Sequence, residues 1–345
     1  MTNVVQKWYN YSKEGVMEEE KYTPPYELTS NMLELISEIM EKVGQINKFA
    51  SAKSQVRLLK SNKINSIHSS LAIENNKLSI SEVQAVFEGK DIIADKNEVL
   101  EVKNSIDAYN LMPDINPYSL SDLKKVHYEM MKGLCTDAGK FRVGAEGVFD
   151  GDTPIHIAPP AIRVPTLMAD LFDYLSSSKE NVLIKSCVFH YEFEYIHPFA
   201  DGNGRTGRYW QTLLLSKWKP IFKFLPIENV LKEEQDEYYT AFRVSNSEGK
   251  SNAFIDFMLS AILKAISRCN IKPSEVYVSP QVEALMRVVD FYPRSSKELM
   301  SMLGLKSLLA FRQNYLSPAL KENLIKMTIP EKPTSRNQRY YKENN

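Results

Sequence analysis

The sequence predicts a mainly α-helical protein with one small β-hairpin and a separate C-terminal unit. Three observations lead there. Apolar residues recur at helical spacing through most of the 345 residues. Glycine and proline gather in one stretch, where Gly139, Gly144, Gly147 and Gly151 precede Pro154, Pro159, Pro160 and Pro165. Beyond about residue 275 short helical patterns give way to short extended pieces, and 11 Lys/Arg stand against 7 Asp/Glu, a net of +4 in a chain of zero formal charge.

Residues 1 to about 27 are polar and tyrosine-rich and read as an irregular arm, stopped at Pro24-Pro25. From Leu28 to about Lys48, the positions Met32, Leu33, Leu35, Ile36, Ile39, Met40 and Val43 form a helical stripe. A second helix runs from about Ser51 to Ile73, with Val56, Leu59, Ile64, Ile67 and Leu71 as its buried face. It ends in Ser70-Leu71-Ala72-Ile73-Glu74-Asn75, where Ser70 and Glu74 share a face and Asn75 suits a terminator. Ser79 with Glu82 reads as a reciprocal cap opening a short helix. Helices follow over Asn97–Met112, halted by Pro113, and Ser121–Leu134, where His127 reads as a packed or surface histidine.

In the Gly/Pro-rich stretch, Gly147-Val148-Phe149 and Ile155-His156-Ile157 flank a turn at Asp150-Gly151-Asp152, which predicts the hairpin. Arg163–Leu175, Asn181–Ile196, Leu231–Asn246 and Asn252–Cys269 read as helices. His190 and Glu194, four apart, are expected to touch within theirs, and Tyr238, Tyr239 and Phe242 to pack in the core or border a base. In the tail, helices are predicted over Val282–Phe291, Ser295–Leu303 and Leu308–Asn323, then a two-stranded ribbon around Pro330 and Pro333. That order suggests a winged helix, with Arg312, Lys321, Arg336 and Arg339 placed for phosphates.

Composition is that of a globular protein, 43% apolar and 25% charged. The zero net charge argues against a global nucleic-acid or membrane-surface role. No apolar run is long enough to cross a membrane, and no signal-peptide pattern opens the chain, so a cytoplasmic protein is expected. Cys135, Cys187 and Cys269 are too far apart for a disulfide scaffold or zinc knuckle.

The stretch carrying chemistry is His197 to Arg208, H-P-F-A-D-G-N-G-R-T-G-R, between two apolar helices. Gly202 and Gly204 allow a positive-φ turn and close ligand approach. A helix starting near 204 would aim free N–H groups into the loop, where an anion is favoured. Arg205 and Arg208, three apart, share a face and can both grip phosphate oxygens. Asp201 suits Mg²⁺. His197, with an ordinary pKa of about 6.5, can take a proton. Together these point to chemistry on a nucleotide phosphate.

The stretch resembles the signature of the Fic family, histidine-x-phenylalanine-x-(Asp/Glu)-glycine-asparagine-glycine-arginine-x-x-arginine, at every defined position. The resemblance covers about residues 28–270. It implies a Fic-type helical bundle and transfer of AMP from ATP to a Ser, Thr or Tyr hydroxyl of a protein, the chain itself included. His197 would be the base, Asp201 the ligand of Mg²⁺ (or Mn²⁺), and Asn203 with the amides of Gly202, Gly204 and Arg205 the anion hole. Arg205 would hold the β-phosphate and Arg208 the γ-phosphate. Ser70 to Asn75 resembles the family's inhibitory motif, (Ser/Thr)-x-x-x-Glu-(Gly/Asn), placed N-terminal as in its second class. Glu74 would then form a two-pronged pair with Arg208 and hold the enzyme inhibited. The hairpin resembles the flap that docks an extended target segment, with Ile155, His156 and Ile157 as its positions. Gly204 favours AMP transfer over the phosphorylation of the Doc branch, which has a larger basic residue there.

This divides the chain into 1–90, a helical region with an inhibitory helix at about 51–75; 91–270, the catalytic core; and 275–345, a winged-helix-like domain. The resemblance further implies a homodimer. Two alternatives stay open: removal of AMP by the same site, and a winged-helix DNA-binding regulator with a secondary Fic site.

Overall fold

In the computed structural model, the residues described are 22–47, 52–144, 147–150, 153–268, 280–321, 324–333 and 335–342. They form two units, one within Met1–Asn47 and Leu58–Asn270, the other within Lys48–Arg57 and Ile271–Asn345. Most of the expected N-terminal arm lies outside the described residues.

The first unit opens with α1 (Ser30–Asn47) and, from Leu58 on, α2 (Ala52–Ile73). Of their stripes, Met32, Ile39, Val43, Ile64, Ile67 and Leu71 are buried. Helix α3 (Ile80–Phe87) begins at the reciprocal cap read from the sequence, with the Glu82 carboxylate accepting from the Ser79 N–H at 2.7 Å. Helix α4 (Lys96–Leu111) is capped by Asp95, and α5 (Leu120–Met131) by Ser119. Strands β1 (Gly147–Asp150) and β2 (Thr153–Ile157) then pair antiparallel, Val148 opposite His156, with a register slip after Val148. Of the expected turn, Gly151 and Asp152 lie outside the described residues.

Helix α6 (Val164–Ser177) carries Pro165 in its first turn, where no N–H is needed. The next two, α7 (Val182–Ile196) and α8 (Asn203–Trp218), are buried on nearly every side and pack on each other. Phe189, Phe193, Tyr209 and Trp210 lie wholly inside. Burying each such side chain contributes roughly 1.5–3 kcal/mol, so the short connection between these helices is anchored at both ends. Helices α9 (Ile227–Glu233), α10 (Gln235–Glu248) and α11 (Asn252–Arg268) close the unit. The single helix predicted over Leu231–Asn246 is two, because the backbone leaves helical geometry at Glu234 (φ −111°, ψ 41°). Among the described residues, no helix is long and apolar enough to cross a membrane.

The second unit holds α12 (Pro280–Val288), β3 (Arg294–Ser295), α13 (Ser296–Met302), α14 (Leu308–Phe311), α15 (Ser317–Lys321), β4 (Lys326–Met327) and β5 (Arg339–Tyr341). Val282, Leu285, Leu299, Phe311, Leu316 and Tyr340 form its core. Two expectations change. The predicted helix over 308–323 contains a wide π-turn at Arg312–Leu316, just before Pro318, whose ring disfavours a regular turn behind it. The ribbon is a three-stranded antiparallel sheet ordered β3-β5-β4, because Arg294–Ser295 pairs with β5 before α13 begins.

Candidate active site

The connection between α7 and α8 is held open by groups far from it in sequence. His197 caps α7 with left-handed backbone (φ 48°, ψ 62°), a conformation costly for a residue with a side chain. Buried Arg142 imposes it. Arg142 Nε donates to His197 O at 2.6 Å, Nη2 to Pro159 O at 2.5 Å and Ile196 O at 3.3 Å, and Nη1 to Gly144 O at 2.7 Å. Its backbone N–H donates to Pro198 O at 2.9 Å. Sequence reasoning missed Arg142, which stands between Lys140 and Arg163 in the Gly/Pro-rich stretch with no spacing to single it out.

Phe199, in the middle of the loop, stacks on His127 of α5 with centroids 3.6 Å apart and planes 9° from parallel. The Gly139 N–H donates to His127 Nδ1 at 2.8 Å, so the ring proton sits on Nε2 and points at Asp201 O, also 2.8 Å away. Burial pushes the His127 pKa down to about 4, keeping the ring neutral. The expected packed histidine is therefore also what holds the loop. Asn203 turns inward: its Oδ1 accepts from Phe199 N–H at 2.9 Å and its Nδ2 donates to Phe199 O at 2.8 Å. Its side chain shapes the loop, which leaves backbone N–H groups as the donors toward an anion.

Of Gly202 and Gly204, only Gly202 has positive φ (80°), and a Cβ there would lie 2.6 Å from Met131 Sδ. Gly204 was expected to turn as well, but it lies inside α8 with ordinary helical backbone. Its lack of a side chain serves another end, since a Cβ would fall 2.2 Å from Glu74 Oε1. The first-turn N–H groups of α8 have no partner within the helix and face the loop with the positive end of the helix dipole. Asp201 is exposed; its Oδ1 accepts from Gly202 N–H at 2.6 Å and from Arg205 Nη2 at 3.2 Å.

Arg208 is buried, at 2% exposure, yet engaged through Nε and Nη2. Its Nη2 donates to Glu74 Oε1 at 2.7 Å and to Ser70 O at 3.0 Å, and its Nε to Ser70 Oγ at 3.0 Å. The expected two-pronged carboxylate pair is corrected: one prong meets Glu74, the other Ser70, because the guanidinium also caps the end of α2. Asn75 takes left-handed φ (66°), Asn75 N–H bonds Ala72 O at 3.2 Å and Asn76 N–H bonds Leu71 O at 3.1 Å, a Schellman ending. Lys232 and Gln235 donate to Ala72 O and Ile73 O at 2.9 and 3.3 Å. Burial works against the charge on Arg208, but the surrounding acidic groups, Glu74 first among them, together more than offset it, so the guanidinium stays charged.

Beneath it, burial pushes Glu194 up to about 8, although Arg208 opposes the shift. His190, pushed down to about 3 by burial, bonds Gln211 at 2.6 Å and Tyr238 at 3.0 Å. Glu194 stands 3.8 Å from its Nε2, the contact expected within this helix, at a distance longer than a hydrogen bond. Tyr238 and Phe242 are buried in the core, and Tyr239 is half-buried beside Gln235. In the hairpin, Ile155, His156 and Ile157 all lie on β2, and Ile157 is exposed. Among the described residues, β2 pairs with β1 alone.

Among the described residues no cluster of three metal-ligating side chains exists. Asp201 still fits Mg²⁺, because its second oxygen accepts neither of the bonds above and that ion takes few protein ligands, completing its shell with phosphate oxygens and water.

The chain matches the Fic/DOC family over residues 117–215. It also matches the C-terminal domain described as "Filamentation induced by cAMP protein Fic-like" over residues 280–341. Curated relatives include the Nematostella vectensis "Protein adenylyltransferase Fic", 26% identical over 73% of this chain and 57% of that protein. Another is the Caenorhabditis briggsae "Protein adenylyltransferase fic-1", 29% identical over 52% of this chain and 36% of that protein. The chain thus spans roughly a third to just over half of these relatives. A crystal structure of a Fic family protein from Desulfovibrio desulfuricans is 42% identical, covers 94% of this chain and 99% of its own, and superposes with a TM-score of 0.69. With that identity over nearly the whole of both chains, and with the signature gathered at the start of α8, this protein belongs to the Fic family.

Proposed function

We propose that this protein is an adenylyltransferase that moves AMP from ATP to a Ser, Thr or Tyr hydroxyl of a protein, and that Glu74 holds it inhibited. One observation carries the reading: His197 and Asp201 sit in the short connection that leads into α8 and Arg205 in its first turn, while Arg208, on the same helix, is occupied by Glu74. The names of the curated relatives support the chemistry.

His197 would accept the hydroxyl proton as the oxygen attacks the α-phosphorus, and the bond to the β-phosphate oxygen breaks, releasing pyrophosphate. Mg²⁺ (or Mn²⁺) on Asp201 would neutralise charge on the leaving pyrophosphate. N–H groups at the start of α8, with Arg205 and Arg208, would hold the phosphates in line. While Glu74 occupies Arg208, the γ-phosphate has no guanidinium to meet, so ATP binds weakly or out of line.

The free edge of β2 would dock an extended target segment, with Ile155, His156 and Ile157 along it. Among the described residues, the separate free thiols Cys135 and Cys187 fit the reducing cytoplasm. Pairing of two copies is carried over from the resemblance and is checked by light scattering. The tail is read as winged-helix-like, but Arg339, one of four residues expected to meet DNA, is engaged with Glu298 at 3.4 Å and Pro293 O at 3.3 Å. Salt-dependent binding of duplex DNA by the full chain would favour the regulator reading.

The deciding experiment is intact mass of wild type, Glu74→Gly and Glu74→Gly/His197→Ala after incubation with ATP and Mg²⁺. Gain of AMP by Glu74→Gly alone supports transfer and self-inhibition. Gain of phosphate points to reversed nucleotide binding, and silence in all three, with a lysate offered as target, turns attention to AMP removal.

A further inference from the structure

A second carboxylate, Glu101, holds the other arginine of the signature. Glu101 lies on α4, and its Oε1 accepts from Arg205 Nη1 at 3.2 Å. Its other oxygen, Oε2, accepts from Asn76 Nδ2 at 2.7 Å. Asn76 is buried two residues past Glu74, and its N–H closes the ending of α2 on Leu71 O. The same turn is fastened to α4 again, since Asn76 Nδ2 donates to Glu98 O at 3.2 Å and Lys77 N–H to Glu98 Oε1 at 3.2 Å. One carboxylate thus touches both a phosphate-binding arginine and the turn that aims Glu74.

We infer that Glu101 is a positioning residue, which aims Arg205 at the β-phosphate and ties it to the turn carrying Glu74. The inference rests on the function proposed above and deepens it. Arg205 is buried, its Nε meets no hydrogen-bond acceptor, and its fork is held by Glu101 and Asp201. Asp201 is also the carboxylate placed to meet the divalent cation. A cation on the other Asp201 oxygen would weaken the hold of Oδ1 on Arg205 Nη2. Glu101 then remains as the fixed point, and the released Nη2 edge turns to phosphate. Held by Asp201 alone, the arginine would lose its tether, and each binding event would have to order a long side chain afresh. At the other end, the Asn76 bond holds residues 74–76 in register, which keeps Glu74 on Arg208. The two arginines of one helix face are therefore gripped by two carboxylates joined through Asn75 and Asn76.

The test uses the full chain with Mg²⁺, measuring ADP and AMP binding by calorimetry, KM and kcat for ATP in self-modification, and melting temperature. On a Glu74→Gly background, Glu101→Ala should weaken ADP binding about tenfold, the worth of one charge-assisted hydrogen bond, and leave AMP within about twofold. KM for ATP should rise while kcat changes little. Glu101→Gln, whose amide oxygen still accepts from Arg205, should restore most of the loss. With Glu74 present, Asn76→Ala should raise transfer above wild type. Equal weakening of ADP and AMP, or a glutamine no better than alanine, overturns the inference and leaves Glu101 a packing residue. Should Glu101→Ala melt below the assay temperature, Glu101→Asp, one methylene short of Arg205, carries the same ADP-against-AMP comparison. If Glu74→Gly with Glu101 intact binds no ADP and transfers nothing, the nucleotide reading falls first and takes this inference with it.

Discussion

The Glu74 carboxylate reaches Arg208 across the space left by Gly204: a Cβ at position 204 would stand 2.2 Å from Glu74 Oε1 and 2.9 Å from Arg208 Nη1. The signature glycine and the glutamate 130 positions earlier are thus two halves of one contact. Gly204→Ala should push Glu74 off Arg208. In a helix, alanine is favoured over glycine by roughly 1 kcal/mol, so the fold should tolerate the change. The expected outcome is ATP-dependent self-modification above wild type, read by intact mass, with melting temperature nearly unchanged. A variant as silent as wild type would show that Glu74 adapts without leaving the arginine.

Glu74→Gly should activate and destabilise together. Removing one partner of a fully buried ion pair costs about 3–5 kcal/mol. Here the Glu74 side chain is 33% exposed and Ser70 still holds Arg208, so the loss should be smaller, on the order of 1–2 kcal/mol. Denaturant unfolding should show this loss, and adding ATP should recover part of it, because the freed arginine gains a ligand.

His127→Ala removes a ring stacked on Phe199 and a donor to Asp201 O, without replacing any residue proposed to meet nucleotide or target. A backbone carbonyl left unsatisfied costs about 1–3 kcal/mol. Loosening the loop that carries His197 and Asp201 should lower transfer, on the Glu74→Gly background, by up to about 100-fold. Activity within twofold of the parent would mean that Arg142 and Asn203 hold the loop unaided.

Stability should depend on pH in opposite senses at the two ends of the scale. Burial pushes Glu192 up to about 7 and Glu194 up to about 8, so the folded state holds their protons more tightly than the unfolded chain does. Their contribution is full at acid pH and is lost as pH rises from about 4.5 to about 8. Burial pushes His127 down to about 4 and His190 to about 3, so their contribution is full above about 6.5 and is lost as pH falls to those values. Between about 4.5 and 6.5 the two pairs oppose each other. Melting temperature should therefore be highest there and fall on both sides, and Glu194→Gln should flatten the alkaline limb. An unchanged alkaline limb would show that Glu194 ionises freely.

Much of this was legible in the chain itself because it is local. Helical spacing, the Ser79–Glu82 cap, and a loop confined to residues 197–208 between two apolar runs depend on neighbours a few positions apart, and the loop's residue types declare phosphate chemistry. Ser70 and Glu74 were found through their resemblance to an inhibitory motif, and their spacing explains why both reach one guanidinium. The rest depends on residues brought together by packing. Arg142, His127 and Glu101 are single side chains with no pattern around them, 55 to 104 positions from their partners in the loop. No spacing rule reaches that far, since only the burial of α7 and α8 against their neighbours decides which distant groups meet. The use of Gly204 was hidden for the same reason: a missing side chain shows its purpose only once the carboxylate filling its space is in place. The sequence by itself determined what chemistry the loop can do; the tertiary structure decided which distant groups hold that loop and which carboxylate meets Arg208.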